Sequence, residues 1–300
     1  MKRSALLVAL VMALLPQAFG GSVVLKKAWV NKYKDRATID ASFMVDHAHK
    51  RPNAPKNDGD MHVAGRSPQD VGLPMVAEVM NAAKPAAAQA LTDIHAVEGQ
   101  AKVVEVDGAW RLWFEHPADS QTQFADYPPA ANTNPDHSFE IHPITKFGGD
   151  DLTQTFMPIP GFTPYDAEKA FGAYEKLTIT VRSTSSAITL TAKKSGYNYV
   201  QFTMKMTGAP KKLADGGYAV FADVMGADDD AIASKVRMIF VPGTPPCNQL
   251  ISQKLGEGDE MDVIGIPRVN LNAVWTFVAA AGTNGATRKL PYEMIIVAAK

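Results

Sequence analysis

The sequence predicts a mainly β protein of two domains, and three observations carry that expectation. Its 300 residues exceed the usual size of one hydrophobic core, so a division into units of roughly 100–200 residues is expected. Apolar residues recur in short alternating runs rich in β-branched and aromatic side chains, the period-two pattern of a strand with one buried face. Against these runs stands one longer stretch of strong helix formers in the first half, Ala83 to Val97.

Residues 1–20 read as a removable export signal. Lys2 and Arg3 give a positive start, Leu6 to Leu15 a short apolar core, and Ala18 and Gly20 small residues before a cleavage point. That core is too short for a membrane span and no other segment approaches 18 apolar residues, so the mature chain is expected to be periplasmic or secreted, without a transmembrane segment. Ser22 to Val30 and Ala37 to Val45 then read as strands, and His49 to Asp58, rich in Pro, Asn and Lys, as an exposed loop. Asp60 to Gly65 and Met75 to Val79 are short strands ahead of the helix. Lys102 to Val106, Trp110 to Phe114 and His137 to Thr145 follow it, with Pro117 to Pro135 as an ordered cover. Strands, a helix, then strands over residues 22–147 is the order of a five-stranded barrel like the oligonucleotide/oligosaccharide-binding (OB) fold, with the helix between its third and fourth strands.

Residues 148–171 form a Pro/Gly/aromatic linker, and residues 172–300 a second β-rich domain. Its strands are LTITV, AITLTA, YVQFTMKM, YAVFADVM, KVRMIFV, EMDVIGI, VWTFV and a last segment ending at Ala298, with a short helix in Cys247 to Leu255. This half reads as a degenerate copy of the first. Asp215-Gly216-Gly217-Tyr218 opens a strand as Asp58-Gly59-Asp60-Met61 does, and YEMIIVA matches FEIHPIT, with Ile296 set in the place of His142. Chemistry is then expected in the first domain, packing or partner contact in the second.

A formal charge of -1 with 20% charged residues excludes a disordered chain and gives no specific signal for nucleic acid or an anionic membrane. Cys247 is the only cysteine, which rules out an intrachain disulfide, and its place behind Pro245 and Pro246 with no nearby histidine makes it structural. All seven histidines lie in the first half, none after His142. Asp60 and His62 are two apart, as are Glu140 and His142, so each pair shares one face of a strand; Glu78 lies on a neighbouring strand. Asp60, His62 and His142 are candidate metal ligands, for zinc or another divalent ion, with Glu78 and Glu140 as candidates to activate a bound water. The same residues in a barrel mouth also suit a purely structural carboxylate–imidazole network. Trp110 and Trp113 flank Arg111 but point to opposite faces, which favours packing over stacking on a ligand; Trp29 and Trp275 sit in apolar strand patterns and are expected in the core. Asp228-Asp229-Asp230 reads as a surface turn.

No phosphate-binding loop, paired CxxC, His-Glu-x-x-His helix, dinucleotide fingerprint or Gly-x-Ser-x-Gly elbow is present. The leading expectation is therefore an exported binding or scaffold protein with a structural Asp/Glu/His cluster and a small ligand or envelope protein as partner. A metal-assisted hydrolase of a phosphodiester or glycan is the alternative. An envelope interaction module using the exposed strand edges of the second domain is a third.

The run DGDMHV, then MVAEV, a helix and PDHSFEIHPIT resembles a loose group of exported proteins of unknown function that carry Asp-Gly-Asp-x-His and a later Glu-x-His-Pro segment. The resemblance covers residues 40–147 and rests on Asp58, Asp60, His62, Glu78, Glu140, His142 and Pro143. It implies a small OB-like barrel and no particular activity. This chain departs from the group in GAWRLWFEHP, where Trp110, Trp113 and His116 stand.

Overall fold

The computed structural model describes residues 20–117, 119–281 and 284–300. The expected export signal therefore lies, up to Gly20, outside the described residues. Strand β1 (Gly20–Lys26) passes directly into helix α1 (Lys27–Tyr33), so the strand expected to reach Val30 stops short. Trp29, Val30 and Tyr33 explain the change: at helical spacing they lie on one side of α1, and all three are buried.

The stretch that builds the first barrel follows as β2 (Thr38–Ala48), β3 (Met61–Arg66), β4 (Pro74–Val79), α2 (Ala88–Val97), β5 (Val103–His116), the two-residue β6 (Gln121–Thr122), which pairs with β1 outside the barrel, then β7 (His137–Phe147) and β8 (Asp150–Asp151). Its strands close in the order β2-β3-β4-β7-β5 and back to β2, with β4 and β7 parallel and the other pairs antiparallel. Helix α2 begins later than expected because Pro85 holds Lys84 extended, at ψ 147°, and only a 3₁₀ turn precedes Ala88. The two strands expected at residues 102–106 and 110–114 are one. Gly108 joins them across a register shift, where a Cβ would stand 2.6 Å from the Pro143 carbonyl oxygen and 2.8 Å from the Ile144 Cα.

The connector carries β9 (Tyr165–Asp166) and α3 (Ala167–Tyr174), and β10 (Thr178–Ser183) and β11 (Ala187–Lys193) form a hairpin. Then come β12 (Val200–Met206), β13 (Lys211–Lys212), β14 (Tyr218–Met225), β15 (Ala231–Phe240), α4 (Pro245–Ser252), β16 (Glu260–Val269), α5 (Leu271–Ala281), β17 (Asn284–Lys289) and β18 (Tyr292–Ala299). The second barrel closes as β12-β14-β15-β18-β16 and back to β12, with β15 and β18 parallel. Strand order, the parallel pair and the helix between third and fourth strands are those of the first barrel. A third sheet, β17-β10-β11-β1-β6, takes its strands from both halves.

The expected strand VWTFV is part of α5 instead. Asn270 accepts the Ala273 N–H at 2.9 Å and starts the helix, and Trp275 is only half-buried. Asp228, Asp229 and Asp230 are an exposed turn, and Trp110 and Trp113 are fully buried, as expected. Cys247 is buried in α4, and burial pushes its thiol up to about 11. The native protein at neutral pH is therefore expected to resist Ellman's reagent until denaturant is added; rapid labelling of the folded chain would contradict this.

The duplication is visible in matched interactions. Gly59 and Gly216 both have positive φ, and Asp58 and Asp215 accept the backbone N–H two residues on, from Asp60 at 3.2 Å and Gly217 at 3.3 Å. Arg111 of β5 faces Glu140 of β7, and Arg268 of β16 faces Glu293 of β18. Each arginine also reaches the other half: Arg111 Nε donates to the Pro267 carbonyl at 2.9 Å, and Arg268 Nη1 to the Trp110 carbonyl at 2.9 Å. Matching the two glutamates places Ile295, not Ile296, at the position of His142. Ile295 belongs to the layer between the barrels, while Ile296 packs in the main core.

Candidate functional site

Alternation decides which way the polar residues point. Met61 and Val63 flank His62, Ala77 and Val79 flank Glu78, and Phe139 and Ile141 flank Glu140; all six belong to the main apolar core. His62, Glu78, Glu140 and His142 therefore lie on the outer face of the barrel and not in its mouth. That face is covered. Phe156, Ile159 and Tyr199 pack in a layer with Ile264, Ile266 and Ile295 of the second barrel. A strand face that looks solvated in sequence is thereby buried, with Asp60 and His142 at 1% exposure, Glu140 at 3% and Glu78 at 7%.

The five expected residues form one cluster. His62 Nε2 lies 3.4 Å from Glu78 Oε2, and His142 Nδ1 lies 3.6 Å from that same oxygen and 3.4 Å from Glu140 Oε2. On its other side His142 Nε2 is 2.9 Å from the Tyr199 hydroxyl and 3.4 Å from Asp60 Oδ2. Tyr199 donates its own proton to Asp60 Oδ2, so its oxygen accepts from His142. Asp60, Glu78 and His142 each offer a ligand atom within 4.8 Å of the others, a set suited to chelate a divalent ion. His62 stands outside that trio, against Glu78.

Several participants escaped the sequence reading. Arg111, wholly buried, donates through Nη1 to Glu140 and through Nη2 to Glu115 at 3.0 Å and to Asn198. His137 Nε2 meets Glu140 Oε1 at 3.1 Å. Arg111 and His137 carried a signal, being polar residues on strands beside apolar neighbours. Tyr199 and Asn198 carried none, because they come from the segment just before β12 and reach the cluster only through the docking of the two halves. Two imidazole stacks flank the site: His49 on His62, with ring centroids 4.7 Å apart, and His116 on His137, 5.3 Å apart.

Charge is unevenly settled here. Burial opposes ionisation of Glu140, but Arg111, the hydrogen bond from His137 and the nearby His142 outweigh it and hold the carboxyl well below the usual range. Burial likewise disfavours a charged His142, yet Glu78, Asp60 and Glu140 keep its imidazole protonated well above the ordinary value. Asp60 and Glu78 then share a single imidazolium. Burial, reinforced by Glu140 and Asp60 against the pull of His142, pushes Glu78 up to about 8. Burial also disfavours a charged His137, but Glu140 outweighs it and raises that imidazole, so Asp60, Glu78 and Glu140 face Arg111, His137 and His142. Buried atoms are also left without hydrogen bonds: Asp60 Oδ1, His62 Nδ1 and His142 Nδ1.

The second barrel supplies an internal comparison. Matched through strand register, Asp60 corresponds to Gly217, His62 to Ala219, Glu78 to Ile239 and His142 to Ile295, and Ala37 precedes β2 as Tyr199 precedes β12. Ala37, Ala219 and Ile239 form a small apolar cluster. The same structural position is filled in one copy by glycine and apolar side chains and in the other by four ionisable groups and a capping tyrosine.

No protein-family model and no curated protein matches the chain. Among solved structures it is similar to a deletion mutant of the single-stranded DNA-binding protein from Thermus aquaticus, at 6% identity over 88% of this chain and 91% of that one, with a TM-score of 0.21. Strand order, and not that likeness, defines the class: two OB-like barrels in tandem, packed face to face. Among the described residues no helix is long and apolar enough to cross a membrane.

Proposed function

We propose that this is an exported, non-catalytic binding protein whose buried Asp60, Glu78 and His142 hold a divalent transition-metal ion between two OB-like barrels. The observation that carries this reading is the internal comparison. Apolar residues fill the matching position in the second barrel, so packing alone does not call for three buried ionisable groups in the first. Two carboxylates and an imidazole suit Zn²⁺ or Mn²⁺ better than a soft or a purely oxygen-seeking ion. His142 stands between the two carboxylates, its Nε2 3.4 Å from Asp60 Oδ2 and its Nδ1 3.6 Å from Glu78 Oε2, so loss of its proton frees a ring nitrogen beside one of them. A dication that takes the place of the proton on His142 also neutralises Asp60 and Glu78 together. Burial argues against the hydrolase alternative, since Glu140 is tied to Arg111 and His137 and a polymer has no open approach to Glu78. Export rests on the character of residues 1–20, and N-terminal sequencing of the mature protein tests it.

Zn²⁺ titration with denaturant unfolding tests the metal. At 100 times its Kd the ion is expected to stabilise the native protein by about 2.7 kcal/mol over the same protein in chelator, with no such gain in His142→Ala or Asp60→Asn. Equal stability of the wild type in metal and chelator would overturn the reading. A second reading is favoured by the Tyr199 contacts, which join the halves: the cluster is a structural brace. It expects His142→Ala to cost about 1–3 kcal/mol in chelator, with no response to metal in either protein.

A further inference from the structure

The sheet that takes strands from both halves, β17-β10-β11-β1-β6, separates charge sharply. Its five strands hold no aspartate, glutamate or aromatic residue, in a chain with 31 acidic residues against 30 basic ones. Alternation sends Val23, Leu25, Ile179, Val181, Ile188 and Leu190 into the core, so the polar residues between them share the outer face. Strand register lines these up in rows. Ser22, Thr191, Thr180 and Thr287 stand side by side on β1, β11, β10 and β17. Their hydroxyls form two exposed hydrogen bonds, Ser22 with Thr191 at 3.0 Å and Thr180 with Thr287 at 2.8 Å. At the usual spacing of strands the row spans about 14 Å. Lys193 and Lys289 lie one row away on one side and Arg182 one row away on the other, with Lys26 at the end of β1. Among the described residues only Lys289 of these four is ion-paired, with Glu175.

We infer that this face binds an acidic polysaccharide. The near-neutral total hides a local basic surface, and such a surface draws a polyanion. Hydroxyls that both donate and accept match the hydroxyls of a sugar chain, while the flanking cations meet its carboxylates. Two other polyanionic partners fit the face less well. Single-stranded nucleic acid stacks its bases on aromatic side chains, and these strands have none. An anionic membrane takes apolar side chains into its interface, and among the described residues no large exposed hydrophobic one stands in this sheet. None of these residues belongs to the cluster around His142, so the inference stands or falls apart from the metal.

Titration calorimetry of the full-length protein with polygalacturonate tests this. The wild type is expected to bind it at low salt, to lose affinity as salt rises, and to leave neutral dextran unbound. Arg182→Ser with Lys193→Ser is expected to weaken binding by about tenfold, the scale of two basic groups at a polyanionic surface. Thr180→Val with Thr191→Val keeps the charges and the β-branched shape but removes two hydroxyls. It is expected to weaken polygalacturonate binding about fivefold and to leave polyglutamate, a polyanion without hydroxyls, bound as in the wild type. Should a double variant fail to fold by circular dichroism, Lys193→Ser alone carries the test, with an expected loss of about fivefold. Absence of binding to polygalacturonate overturns the inference, as does unchanged affinity in the Arg182 and Lys193 variant. Wild-type affinity for polyglutamate equal to that for polygalacturonate, or tighter binding of single-stranded DNA or phosphatidylglycerol vesicles, gives the face to another partner and overturns it too. So does a dimer in sedimentation that the Thr180 and Thr191 variant loses, which would make a second copy the occupant.

Discussion

Replacing Glu140 by alanine is expected to destabilise the protein by about 3–5 kcal/mol, the cost of breaking a buried ion pair from one side. Arg111 has no exposed surface, and its Nη1 loses its acceptor, while Glu115 and Asn198 hold only Nη2. His137 and His142 lose a carboxylate in the same step. Denaturant unfolding in chelator measures the loss, and it should persist when metal is added, because Glu140 lies outside the chelating trio. The double variant Arg111→Met with Glu140→Met removes both charges and is expected to recover much of the stability. A double variant as unstable as the single one would show that the pair does more than neutralise itself.

The matching change in the second barrel, Glu293→Ala, should be at least as severe. Glu293 is fully buried and serves two arginines, accepting from Arg268 Nε at 2.6 Å and from Arg237 Nη1 at 2.7 Å. Burial already pulls Arg268 down to about 10 against the attraction of Glu293, so its charge is costly where it stands. The guanidinium also lies over the Trp110 ring, 3.5 Å from its centroid, and donates to the carbonyls of Arg36, Ala37 and Trp110 across the seam. Loss of Glu293 is therefore expected to cost about 3–5 kcal/mol and to loosen the contact between the barrels. Calorimetry is the suitable measurement. A loss under about 0.5 kcal/mol, the scale of an ordinary surface substitution, would mean the carbonyls suffice to hold Arg268.

Much of this was legible in the sequence because strand periodicity is local. Two-residue spacing put Asp60 with His62 and Glu140 with His142, and the order of strands and helix gave both barrels. The failures share a cause. Lys27–Tyr33 and Leu271–Ala281 are short apolar segments where helix and strand periods are hard to tell apart, and tertiary packing of Trp29 and the Asn270 cap settled them as helices. The site's burial was illegible for a different reason. Phe139, Glu140, Ile141 and His142 alternate as a half-solvated strand does, and nothing in that run reveals that Tyr199, 57 residues beyond His142, closes over its polar side. Contacts that depend on docking two folded units leave no periodic trace.

Strand β1 is held along its whole length by β11, from Gly20 opposite Lys193 to Lys26 opposite Ala187. A chain made or threaded from its N-terminus therefore carries its first strand without that partner until nearly two thirds of the polypeptide has followed. Such long-range pairing raises contact order and delays the final fold. The first barrel can gather locally, but the sheet that takes strands from both halves is not finished until the second half arrives. Cutting between the barrels should accordingly yield a first half with an unsatisfied edge, prone to pair with its own copies.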